Sequence, residues 1–329
     1  MNATNSNNSM NATNPSTPVP SYVFGPVPSR RLGLSLGVDL IPPKTCTFDC
    51  LYCQVGRTTD KTLTPRPFVP INQVIAQVTE RLSSCSPDAV TLAGSGEPTL
   101  HSEIDRVIDG IHAVTDIPVA LLTNGSLLWE DGVRARVRDA DIVMPTLCSA
   151  HEATFQRIHR PHPGLDLATV IKGLQLFRRE CRGRLFLEVV LLAGMNDTEA
   201  ELTALRDVID EVAPERIQLN TVVRPPSDAR AKSLDRERLE EIKEFFGETA
   251  EIVVDAPRAQ KALMHDSLAK ALVDMVKRRP LRLQDMAASL GQSLDRVQDL
   301  VKGLRLKGYL VEKEYSGEIF YLSSEKNGS

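Results

Sequence analysis

Residues 46–53 read Cys46-Thr47-Phe48-Asp49-Cys50-Leu51-Tyr52-Cys53, three thiols at C-x3-C-x2-C spacing behind the paired prolines Pro42 and Pro43. Thiolates are the ligands of iron–sulfur clusters, and short spacings let one loop wrap one cluster. A cubane cluster has one more iron than this loop has cysteines, so one iron stays open to a small molecule. The competing readings are a zinc site or three core cysteines that happen to cluster. Zinc sites usually close with a fourth ligand, and no further Cys or His lies close by in sequence.

Outward from this loop the chain alternates short apolar runs with amphipathic stretches. Leu36–Ile41 reads as a strand leading into the cysteines, followed by strands at Ala89–Ala93, Val119–Thr123, Asp141–Leu147, Leu185–Leu192 and Arg216–Val223, and a short one at Ile252–Val254. Helical spacing marks Ile71–Leu82, Ile104–Val114, Leu127–Val137, Leu167–Arg179, Thr198–Val212 and Asp235–Phe246. Strands alternating with helices imply right-handed crossovers and a parallel sheet. Both a barrel and a doubly wound sheet satisfy that pattern.

The cysteine run, with the aromatic Tyr52 before the last thiol, resembles the cluster motif of the radical S-adenosylmethionine (radical SAM) enzymes. The resemblance covers about Val23 to Pro257 and settles the tie for an α/β fold built on a partial (β/α)6 parallel barrel. It implies a [4Fe-4S] cluster on Cys46, Cys50 and Cys53 whose open iron chelates the amino and carboxylate groups of SAM. One electron then cleaves SAM to methionine and a 5′-deoxyadenosyl radical, which abstracts hydrogen from a substrate. It also implies a reductant protein such as a flavodoxin or ferredoxin.

In parallel barrels the active site assembles from loops after the strands. Gly94-Ser95-Gly96-Glu97-Pro98 resembles the family's "GGE" segment, which implies that Gly94, Gly96 and Glu97 hold the SAM amino group. Thr123 and Asn124 follow the next strand and are expected to face SAM or substrate. Beyond them come Thr146, Cys148, Ser149 and His151. Relatives bind the SAM ribose and carboxylate near such points, which assigns Ser149, Glu188 and Asn196 to that task. Cys148 is the spare thiol at a strand end, a candidate hydrogen donor or covalent carrier, or else a small core hydrophobe. Gln218 and Asn220 are either ligand-facing or buried and satisfied.

Two further segments suggest substrate. Arg30 and Arg31 place guanidiniums, suited to carboxylate or phosphate, near the barrel entrance, or lie on a solvated face. Arg157-Ile158-His159-Arg160-Pro161-His162-Pro163 reads as a loop with phosphate-binding potential. Phe24-Gly25-Pro26-Val27-Pro28 and Arg160-Pro161 resemble proteins related to the wyosine-forming tRNA enzymes. The chain departs from wyosine synthases themselves: no cysteine precedes Cys46, and Cys85, Cys148 and Cys181 form no second motif.

After Pro257 the pattern becomes helices at Leu268–Lys277, Leu283–Leu290 and Ser293–Leu306, then strands at Tyr309–Glu314 and Glu318–Leu322 around Ser316-Gly317. This looks like a winged helix-turn-helix domain. Its last helix carries Arg296, Lys302, Arg305 and Lys307 against Asp295 and Asp299, while the wing is mixed in charge, so it fits nucleic acid, a protein or a cover over the active site. The expected domains are a disordered tail over 1–20, the barrel over 21–258, the winged helix over 265–323 and a disordered tail over 324–329.

Composition agrees. A 42% apolar, 25% charged chain of net charge −4 is a globular protein without a nucleic-acid-coating surface. Six cysteines, three crowded together, are no disulfide framework, and a reduced cytoplasm is expected. No apolar run approaches a bilayer span, and the polar start lacks a secretory signal. The chain therefore reads as a cytoplasmic radical SAM enzyme, with RNA as the leading substrate and a protein, peptide or small metabolite as the alternative. A redox-sensing DNA-binding regulator is the non-enzymatic alternative.

Overall fold

The computed structural model describes residues 20–253 and 268–324. The two expected tails lie outside these residues apart from Pro20 and Ser324, as do the last residues of the expected barrel and the first of the expected winged helix.

In chain order the elements are β1 (Val23–Ser29), β2 (Gly33–Val38), β3 (Thr45–Cys46), β4 (Asp60–Lys61), α1 (Ile71–Leu82), β5 (Ala89–Leu92), α2 (Ile104–His112), β6 (Val119–Thr123), α3 (Asp131–Val137), β7 (Ile142–Pro145), α4 (Glu152–His159), α5 (Leu167–Glu180), β8 (Arg184–Leu191), α6 (Glu199–Val212), β9 (Arg216–Thr221), α7 (Arg236–Phe246) and β10 (Ala250–Ile252). Then come α8 (Leu268–Arg278), α9 (Leu283–Leu290), α10 (Leu294–Leu306), β11 (Leu310–Tyr315) and β12 (Glu318–Ser323).

The main sheet runs β1-β2-β5-β6-β7-β8-β9-β10. All its pairings are parallel except β1 with β2. The six expected strands are thus β2 and β5 to β9. Sequence reading missed β1, because its two prolines argue against a strand. As an edge strand it loses nothing by their missing amides. The segment Arg157–Pro163, read as a loop, begins as the last turn of α4, which is helical up to His159; Arg160 ends it in the left-handed region (φ 43°), and Pro161 bars continuation.

Alternation along the strands gives the sheet two faces. Leu36, Val38, Val90, Leu92, Val119, Leu121, Val143, Leu187, Val189, Ile217 and Leu219 belong to one continuous core with the apolar faces of α1 to α3 and α5 to α7. The opposite face, with Ser35, Thr91, Met144, Glu188 and Asn220, lines an interior cavity of about 380 Å³. A core on one face and polar groups on the other is the division a barrel-like sheet needs to keep a reaction chamber.

The sheet is open between β1 and β10. Arg30, from the β1–β2 turn, reaches across this seam and donates to Asn220 Oδ1 (3.0 Å) and to the Val253 carbonyl (2.9 Å) beyond β10. Arg31 pairs with Glu188 on β8. The C-terminal helices have their own core of Leu272, Met275, Val276, Leu281, Met286, Leu290, Val297 and Val301, which also takes in Val27 of β1. On the other side, next to the edge strand β10, Tyr315 Oη donates to the Val222 carbonyl (3.2 Å) just beyond β9. The C-terminal elements therefore straddle the seam. Among the described residues no helix is long and apolar enough to cross a membrane.

One buried imidazole gives a pH prediction. His101 is fully buried, and burial lowers its pKa from 6.5. The unfolded chain then binds a proton that the folded one does not, so stability falls as pH drops below about 6.5, by up to about 1.4 kcal/mol per pH unit from this group. Urea midpoints at pH 7 and pH 5.5 should show a smaller acid loss for His101→Phe than for the unmodified chain.

Candidate active site

The cysteine loop is gripped from behind by the end of α4. The His159 and Ile158 carbonyls accept from the amides of Asp49 and Leu51 (both 2.9 Å), and His162 donates its amide to the Thr47 carbonyl (2.8 Å). Arg160 Nε donates to the Asp49 carbonyl (2.6 Å), and the same guanidinium pairs with the Asp49 (3.2 Å) and Asp228 (3.3 Å) carboxylates. Phe48 packs edge-on against Phe155, ring centroids 5.6 Å apart. The 157–163 segment, expected to bind phosphate, is instead spent on this clasp. Because Asp49 is nearly buried and would keep only the Thr58 amide and the exposed Arg57, Arg160→Ala should cost about 3 kcal/mol in a denaturant titration.

Cys46, Cys50 and Cys53 all line the cavity, and none of the six cysteines is in a disulfide. Among the described residues no three His, Cys, Asp or Glu side chains close on a single metal ion. A cubane takes each thiolate on a different iron and does not need the three to meet at one ion, whereas zinc does. Burial pushes the Cys46 thiol up to about 12 and Cys50 well above its ordinary value, outweighing the hydrogen bonds that pull the other way. A cationic iron core held there would offset that cost.

Donors surround these sulfurs. Asn124 Nδ2 lies 3.6 Å from Cys46 Sγ and 2.7 Å from Thr47 Oγ1. His159 Nδ1 lies 3.3 Å from Cys50 Sγ, and burial drives its pKa down to about 3, so the ring is neutral. Its buried Nε2 has no partner among the described residues. An unpaired acceptor costs less than an unpaired N–H, which assigns the proton to Nδ1, donating to the sulfur.

Glu97 organises the next two loops. Its Oε1 accepts from Thr99 N (3.0 Å), Thr99 Oγ1 and Thr123 Oγ1 (both 2.6 Å), and Oε2 accepts from Asn124 N (2.7 Å). Burial raises its pKa, and these donors pull it back down. The two glycines before it are sterically required. A Cβ on Gly94, at φ +152°, would sit 2.4 Å from the Asp39 carboxyl carbon, and one on Gly96 would sit 2.0 Å from the Thr45 carbonyl oxygen. Asp39, read from sequence as part of a strand, accepts from Ser95 N (3.1 Å) and Ser95 Oγ (2.6 Å) and pairs with Arg278 of α8 (3.3 Å).

Gly94, Gly96, Glu97, Thr123, Asn124, Thr146, Glu188 and Asn220 line the same cavity as the cysteines. Three expected site residues do not. Ser149 is fully buried, accepting from His151 N (2.9 Å) and donating to Glu201 of α6 (2.7 Å). Asn196 is spent on the turn after β8, donating to the carbonyls of Cys148 (2.8 Å) and Val190 (2.9 Å). Cys148 is fully buried, with its sulfur 3.8 Å from Tyr52 Oη, and is pushed up to about 12 by burial, the small-hydrophobe alternative. Gln218 donates to Glu251 (2.9 Å) outside the cavity. Sequence reasoning missed Arg224, Arg278 and Arg279, which join Arg30 and Arg31 in the wall.

A family model described as the Radical SAM superfamily matches residues 40–206, from just before the cysteine loop to midway along α6. The chain belongs to the radical SAM superfamily. It is 31% identical to a UPF0026 protein of Methanocaldococcus jannaschii, covering 93% of this chain and 97% of that one. It is 35% identical to a Brachyspira hyodysenteriae protein named GTPase Obg, over 91% of this chain but 45% of that protein, so it spans under half of that relative's length. The fold is similar to a radical SAM methyltransferase from Sphaerobacter thermophilus, with TM-score 0.51 and 18% identity over 66% of this chain and 65% of that one. As a radical SAM enzyme, the protein uses a [4Fe-4S] cluster and SAM.

Proposed function

We propose that Cys46, Cys50 and Cys53 hold the cluster and that Gly94, Gly96, Glu97, Thr123 and Asn124 shape the SAM side of the cavity. The observation that carries this reading is one wall holding both the three thiols and the Glu97 network. Bound there and reduced by a protein such as a flavodoxin or ferredoxin, cluster and SAM supply a 5′-deoxyadenosyl radical that abstracts hydrogen from substrate. The residues position and shield. Glu97 Oε1 is committed to three donors, whereas Oε2 accepts from Asn124 N and has capacity left for an ammonium. Asn124 and His159 donate to sulfur and so tune the site's charge. Cys148, Ser149 and Asn196 act in this reading as scaffold.

We read α8 to α10 with the β11–β12 hairpin as a winged helix covering the seam, and the substrate as a nucleotide of RNA. α10 exposes Arg296 and Lys302, with Lys307 just after it, none ion-paired to a described residue, which suits phosphate contacts. The resemblance of Phe24–Pro28 and Arg160-Pro161 to the wyosine-forming branch points the same way. A small phosphorylated metabolite is the second reading, favoured by the enclosure of the cavity under the C-terminal elements. To separate them, RNA from cells lacking this protein is incubated anaerobically with reconstituted enzyme, SAM and dithionite. RNA-stimulated 5′-deoxyadenosine with a new nucleoside in the digest supports RNA; no stimulation and no new nucleoside removes it.

A further inference from the structure

We infer that Arg30, Arg224 and Arg279 form a binding site for a phosphate group of the substrate, built jointly by the barrel seam and the segment after α8. It deepens the proposed reading by naming the group that the cavity recognises, and rests on that reading only for where the phosphate comes from.

The neighbouring cations are already matched. Arg31 pairs with Glu188, Arg278 with Asp39, and Arg282 with Asp285 and Glu318. The other three have no carboxylate ion pair among the described residues. Arg30 reaches only the Asn220 side-chain oxygen and the Val253 carbonyl. Arg224 has a 3.5 Å contact to Gln54 Oε1, and its buried Nε has no partner. Arg279 makes no hydrogen bond through its guanidinium to a described residue, Asp285 being its only favourable charge.

All three line the cavity. Burial and their mutual repulsion lower Arg30 and Arg279 to about 9. The nearest carboxylates, Glu188 and Asp285, are ion-paired with Arg31 and Arg282; guanidiniums clustered with so little counter-charge destabilise an apo fold, and a ligand bearing more than one negative charge removes that cost. Planar forks from three directions match the tetrahedral oxygens of a phosphate better than a single carboxylate. Gln54 directly follows Cys53, so Arg224 would hold the anion beside the cysteine loop, within the chamber that the proposed radical enters.

The test titrates the full-length apo chain with pyrophosphate, and in parallel with malonate, at fixed ionic strength by calorimetry. The unmodified chain should bind pyrophosphate in preference to malonate. Arg279→Gln and Arg224→Gln should each weaken it roughly tenfold or more, while the control Arg236→Gln, on an exposed side chain paired with Glu240 on α7, should not. Without ligand, Arg279→Gln should melt at or above the unmodified temperature, because repulsion is relieved. Absence of pyrophosphate binding, preference for malonate, unchanged affinity in both variants, or equal loss of SAM affinity in Arg279→Gln would overturn the assignment. Pyrophosphate binding without RNA-stimulated turnover leaves this site standing and rejects only the RNA reading; RNA-stimulated turnover without pyrophosphate binding does the reverse.

Discussion

Glu97→Ala is expected to destabilise the chain by about 4 kcal/mol, a large fraction of the stability of an ordinary domain. The carboxylate satisfies two backbone amides and two hydroxyls from three different positions, Thr99, Thr123 and Asn124. Each buried donor left without an acceptor costs about 1–3 kcal/mol. Relief of the burial that raises the Glu97 pKa offsets part of the sum. Hydroxyls can rotate to new acceptors, whereas the Thr99 and Asn124 amides cannot, so they carry most of the loss. Glu97→Gln separates charge from geometry. Its single carbonyl can serve the three donors at Oε1, but its amide then faces the Asn124 N–H, donor against donor, for a loss of about 2 kcal/mol. Urea titrations of the two variants, in that order of severity, check the account; an alanine variant as stable as the parent contradicts it.

Cys50→Ala should reduce iron after anaerobic reconstitution from about four per chain to background, with Cys46→Ala and Cys53→Ala alike. The three thiols face one cavity. In the proposed reading each would hold a different iron, and two could not substitute for three. Burial raises the Cys50 thiol and the His159 ring faces its sulfur, so its loss also leaves the imidazole without its acceptor. Cys85→Ala, at a part-buried position just beyond α1, keeps full iron. Iron and sulfide assays on the four variants decide the matter, and equal loss in Cys85→Ala would point to misfolding instead of ligation.

The succession of strands and helices was legible because the β2 and β5 to β9 runs are apolar and short, and the intervening helices keep a clean apolar stripe. Cys46, Cys50 and Cys53, and the Gly94–Glu97 loop, were legible because their spacing is local. What the sequence hid is long-range. Ser149 and Asn196 sit at strand ends, where ligand-binding side chains also sit, and only Glu201 on α6 and the Cys148 and Val190 carbonyls reveal that their hydrogen-bonding capacity is spent. The Arg157–Pro163 segment carries the composition of an anion site, yet Asp49 and Asp228, far away in sequence, consume Arg160. Arg279 was invisible for the converse reason. It follows a helix assigned to another module, and only the docking of α8 on β1 brings it to the cavity. Proline-bearing β1 escaped because an edge position tolerates what a central strand does not.

The most direct measurement is 5′-deoxyadenosine formation. The full chain, reconstituted with iron and sulfide under strict anaerobiosis, is mixed with SAM and dithionite and the products are separated by chromatography. The predicted result is 5′-deoxyadenosine and methionine from the unmodified chain and neither from Cys50→Ala. A chain that assembles its full iron and sulfide yet leaves SAM intact, with and without RNA, would contradict the account.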